Sequence, residues 1–170
     1  RFGLNVARGM SNEGIFPVYT TPTAHMLVNA EDWRYAVMDH QPILLVGMYP
    51  GSSLSQWGPG HLAYQDVDMF RVPGASIFQP GTHQDLLIIL ENLYGDFKKH
   101  LPAYIRLPEI SNDMVDPALY QSLEKRKIIF EDGFYVVKSN INDSAKGRPY
   151  VLFITSGALL QENIKATQAL

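Results

Sequence analysis

The sequence has no cysteine, which excludes disulfides and thiolate metal sites and fits a reducing, cytoplasmic setting. It has no run of roughly 18 apolar residues able to cross a bilayer, and no signal-peptide pattern opens it. Charge of one sign never accumulates: 14 Lys and Arg stand against 17 Asp and Glu, a net charge of −3. With no basic stripe, neither a nucleic acid nor a membrane surface is the expected partner. A phosphate-cradling glycine motif of the Rossmann or P-loop type is also missing. So is any convincing metal-ligand spacing of His or carboxylates, and no Ser-His-Asp arrangement can be assembled.

What remains is an ordinary globular composition, 46% apolar and 18% charged over 170 residues. That is enough for one domain, or one domain with a fragment of a second. Both ends look open, because helical patterning begins at once and the last residues still read as a helix. The chain is therefore expected to be an internal piece of a longer protein.

Short apolar runs alternate with helical patterns. Residues 3–13 read as the end of a helix, with Gly14 as its left-handed terminator. Ile15 to Thr20 reads as a strand. Thr23 is placed to cap a helix whose apolar face is Met26, Ala30, Trp33 and Val37. Ile43 to Val46 is a continuous apolar strand of the kind covered by helices on both faces. After it come a glycine- and serine-rich loop, Gly47 to Gly60, a short helix near 62–70 and a strand at Ala75 to Phe78. Thr82 and Asp85 stand at capping-box spacing ahead of an apolar helix, and Ala103 to Ile105 forms a further buried strand running into Arg106. The alternation predicts an α/β fold, a mostly parallel sheet flanked by helices. Residues 1–107 form the first unit and 108–132 a linker. Residues 133–170 open a second α/β unit, with strands at Phe134 to Lys138 and Tyr150 to Ile154 and a terminal helix capped by Ser156.

In parallel sheets ligands sit beyond the carboxyl ends of the strands, which directs attention to Thr20–His25, Gly47–His61 and Arg106–Glu109. Trp57-Gly58-Pro59-Gly60-His61 makes a tight, backbone-exposed turn followed by a residue able to donate a hydrogen bond or move a proton near neutral pH. The same residues are compatible with a plain loop whose surface histidine caps the next helix. Arg106, at a strand end, suits a carboxylate or phosphate of a ligand, or else a salt bridge to Glu109 or the linker. His25, at a helix start, offers either a ring to stack on a flat ligand or a partly buried ring bonded to backbone.

The order of these pieces resembles the transketolase family of thiamine-diphosphate enzymes. Gly58 to Gly74, GPGHLAYQDVDMFRVPG, is similar to the family pattern D-G-P-T-H-Q-x-x-E-D-[IV]-x-x-x-R-x-x-P. Phe78-Gln79-Pro80 resembles V-x-x-P, and Pro102 to Leu107 resembles P-x-Y-I-R-L. Gly9 to Gly14 looks like the G-L-A-x-x-G that follows the family's cofactor glutamate, and Val151 to Gly157 is similar to the V-T-[LI]-I-A-T-G that opens its C-terminal domain.

The resemblance implies a pyrimidine-binding domain with the start of the transketolase C-terminal domain. It implies a homodimer, or a partner subunit carrying the diphosphate-binding domain, and thiamine diphosphate with magnesium bound by a domain outside this chain. By position, His61 becomes the catalytic acid/base facing the substrate carbonyl and Arg106 the substrate anion anchor. Tyr49 and Trp57 become substrate-side residues, and His25 and Thr21 cofactor-side residues. The implied activity is transfer of a two-carbon or acyl unit from a small substrate, a ketose phosphate or 2-oxo acid, in a chain inactive by itself. Two alternatives stand beside it. One is the decarboxylating subunit of a 2-oxo acid dehydrogenase, which Val72-Pro73-Gly74 favours; the other is a non-catalytic dimerisation relic. The departures from the pattern lie around the pocket. The cofactor glutamate falls before Arg1, and Pro22 stands near a family aromatic. His25 replaces a stacking phenylalanine, Tyr49 a histidine, Trp57 an acidic residue and Gly60 a threonine.

Overall fold

The structure, a computed structural model, describes residues 2–95, 102–108 and 152–168. Its centre is a four-stranded sheet, β1 (Val18–Pro22), β2 (Leu44–Met48), β3 (Ser76–Phe78) and β4 (Ala103–Leu107), in the order β1-β2-β4-β3. Every pairing is parallel. Around it lie α1 (Phe2–Asn12), α2 (Thr23–Met26), α3 (Ala30–Met38), α4 (Asp66–Phe70), α5 (His83–Gly95) and α6 (Leu159–Gln168). The expected α/β architecture, a parallel sheet flanked by helices, is the one observed.

Side chains alternate across a strand, so each strand feeds two cores. On one face Leu45 and Tyr104 pack with Leu4 and Ala7 of α1, Trp33, Ala36 and Val37 of α3, and Phe70 of α4. On the other, Leu44, Ala103 and Ile105 pack with Ile89 and Leu93 of α5. Trp33 is fully buried, and its indole nitrogen donates to the Phe70 carbonyl at 3.0 Å. That bond ties α3 to α4 and removes the cost of burying an unpaired N–H.

Local chemistry explains several boundaries. Gly14 takes φ +79 after α1, the left-handed terminator its position predicts. The α5 start is a reciprocal box: the Asp85 amide donates to Thr82 Oγ1 at 3.0 Å, and the Thr82 and Gly81 amides donate to Asp85 Oδ2 at 2.9 and 3.0 Å. Pro22 ends β1, a strand paired on one side among the described residues, where a missing N–H is tolerated.

Five expectations need correction. The first strand runs Val18–Pro22 rather than 15–20. Thr23 does not cap: it is the first helical residue, and its hydroxyl donates across the sheet edge to the Met48 carbonyl at 2.9 Å. The helix after it is broken into α2, a 3₁₀ turn (Leu27–Asn29) and α3. At the other end of the chain, residues 152–156 are not strand, and α6 begins three residues beyond Ser156. The linker beyond residue 108, including Glu109, and the strand expected at 134–138 lie outside the described residues. Among the described residues no helix is long and apolar enough to cross a membrane.

Candidate functional site

Parallel pairing sends every strand's carboxyl end to one edge, and the register specifies which residues meet there: Thr21 pairs with Gly47, and Gly47 with Arg106. Beyond β2 the chain leaves the sheet through Tyr49, whose amide extends the ladder by donating to the Leu107 carbonyl at 3.1 Å. Tyr49 takes φ +51, a left-handed conformation that costs a bulky L-residue about 1 kcal/mol or more and tends to occur at functional sites. The loop then closes on itself. Gly51 and Ala63 form an isolated antiparallel bridge, the Ala63 amide donating to the Gly51 carbonyl at 2.8 Å. A Cβ on Gly51 would stand 3.0 Å from Arg106 Nη2, and its φ is +65. The neck of the loop that bears His61 therefore rests on the guanidinium that ends β4.

At the tip of this loop, Ser55–Trp57 and Pro59–His61 are short 3₁₀ turns hinged at Gly58, φ +95. They bring three rings together. The His61 ring meets His25 edge-on at 5.7 Å and Trp57 edge-on at 5.7 Å. His25, exposed on α2, reaches this cluster because β1 ends at the same edge as β2. Trp57 is 67% exposed, so the cluster is an open ledge rather than a closed cavity.

Behind the ledge lies a buried polar string. Asp66, the first residue of α4, is fully buried. Its Oδ2 accepts from the Tyr104 hydroxyl at 2.9 Å and from Arg106 Nε at 2.7 Å. Arg106 Nη1 donates to Gln79 Oε1, just past β3, at 3.1 Å. Gly47 makes room for the string, since a Cβ there would stand 2.6 Å from Thr23 Oγ1 and 2.7 Å from the Tyr104 hydroxyl. Burial first, and then the adjacent Asp66 carboxylate, hold the Tyr104 phenol well above its ordinary pKa; it stays a neutral donor across the physiological range.

Of the residues singled out in sequence, the structure brings His25, Trp57 and His61 into one ring cluster and sets Arg106 at the neck of the same loop. Thr21 and Tyr49 sit at the sheet edge beneath it, half-buried and exposed respectively. Among the described residues the ion-pair partner of Arg106 is Asp66; Glu109 and the linker, the partners weighed in sequence, lie outside them. Asp66, Tyr104, Thr23 and Gln79 were missed as site residues. Strand alternation offered a signal for one of them, since Tyr104 and Arg106 must share a face. Among the described residues no group of three or more His, Asp or Glu side chains is placed to hold a metal ion.

No protein-family profile matches the chain, and comparison with curated proteins yields no match.

Proposed function

We propose that this chain forms the pyrimidine-side half of a thiamine-diphosphate-dependent, transketolase-like active site, completed by a diphosphate- and magnesium-binding domain elsewhere in a dimer. The observation that carries the reading is the closed loop at the sheet's carboxyl edge. Its tip holds His61 among rings and its neck rests on Arg106, the two residues to which the family resemblance assigns the substrate. The parallel sheet, with ligand groups beyond its strand ends, supports it further.

The residues present fit the cofactor's flat ring. His25 and His61 offer aromatic edges and ring nitrogens at an open ledge, and Thr21 and Pro22 end the strand beneath. Thiamine diphosphate, when bound, supplies the carbanion chemistry. In this reading His61 donates a hydrogen bond to the substrate carbonyl oxygen and moves a proton there, a role suited to imidazole near neutral pH. Arg106 holds the substrate's anionic end, with Tyr49 at the base of the loop. Trp57, edge-on to the His61 ring, forms the substrate-side wall of the ledge.

Asp66 already offsets the charge of Arg106, which reduces what a dianion gains over a monoanion at this position. That observation favours a 2-oxo acid as the second reading within the same cofactor class. Calorimetry tests both. Thiamine diphosphate with magnesium, titrated into the full-length protein with its diphosphate-binding domain, should release heat that His25→Ala reduces. No heat above background would end the reading and leave a non-catalytic interaction domain.

A further inference from the structure

Arg106 is held from two sides by residues that touch no ligand in the reading above, and one of them is itself held by a residue far along the chain. Asp66 takes Nε and Gln79 takes Nη1. No described residue accepts from Nη2, and a Cβ on Gly51 would stand 3.0 Å from it. Gln79 in turn packs against Gly157, in the turn that precedes α6. A Cβ there would collide with Gln79 Nε2, and Gly157 takes φ +60. The next turn of α6 seals the same corner, since a Cβ on Gly81 would stand 3.0 Å from Leu160. A guanidinium with one edge fixed by a buried carboxylate and one by an amide loses the rotamer freedom it would otherwise lose on binding. It can therefore present its remaining N–H groups in a constant orientation.

We propose that Asp66 and Gln79 are positioning residues for Arg106, and that Gly157 keeps Gln79 in place, so that the guanidinium presents its remaining N–H groups to an oxyanion of the substrate. This rests on Arg106 being the anion anchor, and it adds two consequences. The ligand is recognised by a single phosphate or carboxylate group. The segment that follows residue 151 also controls the anchor from outside the sheet, through one side chain.

The test uses the full-length protein, inorganic phosphate and acetate as separate probes, and the side-chain N–H resonances of Arg106 in nitrogen-15 NMR. In the wild type the Arg106 Nε–H should exchange slowly with solvent and shift saturably with a probe. Phosphate binding much tighter than acetate identifies a phosphate monoester as the ligand group, and the reverse a carboxylate. Asp66→Asn should abolish the slow exchange of the Arg106 Nε–H; because it also unmasks the guanidinium charge, probe affinity is read in the Gln79 and Gly157 variants. Gln79→Ala and Gly157→Ala should each weaken it several-fold, and the double variant should be no worse than either single one, because both act through one contact.

Slow exchange retained in Asp66→Asn, or losses that add in Gln79→Ala/Gly157→Ala, would overturn the positioning proposal while sparing the anchor. If Asp66→Asn fails to fold, the Gln79 and Gly157 pair decides by itself. No saturable shift in the wild type with either probe overturns the anchor, and this proposal with it. In that outcome a wild-type Nε–H still protected by Asp66 shows that the ion pair is purely structural, so the failure belongs to the anchor.

Discussion

The two halves of the candidate site are built on opposite principles. The ring ledge of His25, Trp57 and His61 stands on a short helix and two 3₁₀ turns, with Trp57 largely in solvent. The polar string of Thr23, Tyr104, Asp66, Arg106 and Gln79 is pinned to strand ends and centred on a carboxylate with no solvent exposure. A buried, charge-assisted network is costly to form and strongly destabilising to break. An exposed cluster of loop rings costs little either way. The contrast predicts that stability and ligand recognition separate along this line: changes to the string are felt first in the fold, and changes to the ledge almost wholly in binding.

The largest effect should come from Asp66→Ala. It strands the Arg106 charge and removes the acceptor of the Tyr104 hydroxyl, a change worth roughly 3–5 kcal/mol of stability. Urea unfolding of the two proteins measures it. A loss within the ordinary surface range would mean that the string contributes no more than the ledge, and the contrast would collapse. Gly47→Ala comes next. The added methyl meets Thr23 Oγ1 and the Tyr104 hydroxyl at distances no real Cβ tolerates. Overpacking of this kind costs roughly 1–3 kcal/mol, and the same titration should show it although no charge is touched.

Tyr104→Phe is gentler and adds a pH signature. Removing one neutral donor from a carboxylate that keeps Arg106 should cost about 1 kcal/mol at pH 7. Because burial raises the folded-state pKa of the phenol above its unfolded value near 10, the folded chain binds more protons than the unfolded one above that pH. The stabilisation linked to the phenolic proton is complete below about pH 10 and falls as pH rises further toward the folded-state value. Thermal melts between pH 8 and 11 should therefore show wild-type stability dropping more steeply than that of Tyr104→Phe. Parallel curves would place the phenol in an ordinary, solvated setting.

The sheet itself was legible because its signals are local and repeated. Ile43 to Val46 and Ala103 to Ile105 are apolar without interruption, as only a strand covered on both faces would be, and all but the half-buried Val46 lie in the core. Thr82 and Asp85 were legible for the same reason, their reciprocal bonds spanning three residues. What escaped was decided at long range. The Thr23 hydroxyl has a choice between a nearby amide and a distant carbonyl, and the β1–β2 register, which sets Pro22 beside Met48, gives it the carbonyl. Asp66 meets Arg106 across 40 positions of sequence, and no periodicity encodes that meeting. Residues 152–154 carry an apolar run like those of true strands, yet all three are exposed and outside the sheet. An apolar run specifies that a segment can pair, and only the rest of the chain specifies a partner.

The smallest effect on the fold should come from Trp57→Ala, and it is the sharpest probe of the ledge. The indole is 67% exposed, packs edge-on against one ring, and belongs to a turn whose geometry is set by Gly58 and Pro59 rather than by its own side chain. Truncation should thus leave unfolding free energy within about 0.5 kcal/mol of wild type, the range of ordinary surface positions. If the ledge receives the substrate beside the His61 ring, the same truncation removes its substrate-side wall, and the substrate KM should rise several-fold while affinity for thiamine diphosphate with magnesium holds. His61 should respond alike in stability but differ in kind, because imidazole contributes a donor and a proton as well as an edge. His61→Phe, which keeps the ring, should preserve cofactor affinity while abolishing turnover. Equal losses of affinity in His61→Phe and His61→Ala would show that the nitrogens, rather than the ring edges, hold the ligand, and the ledge would then be a hydrogen-bonding site that happens to be built from aromatic residues.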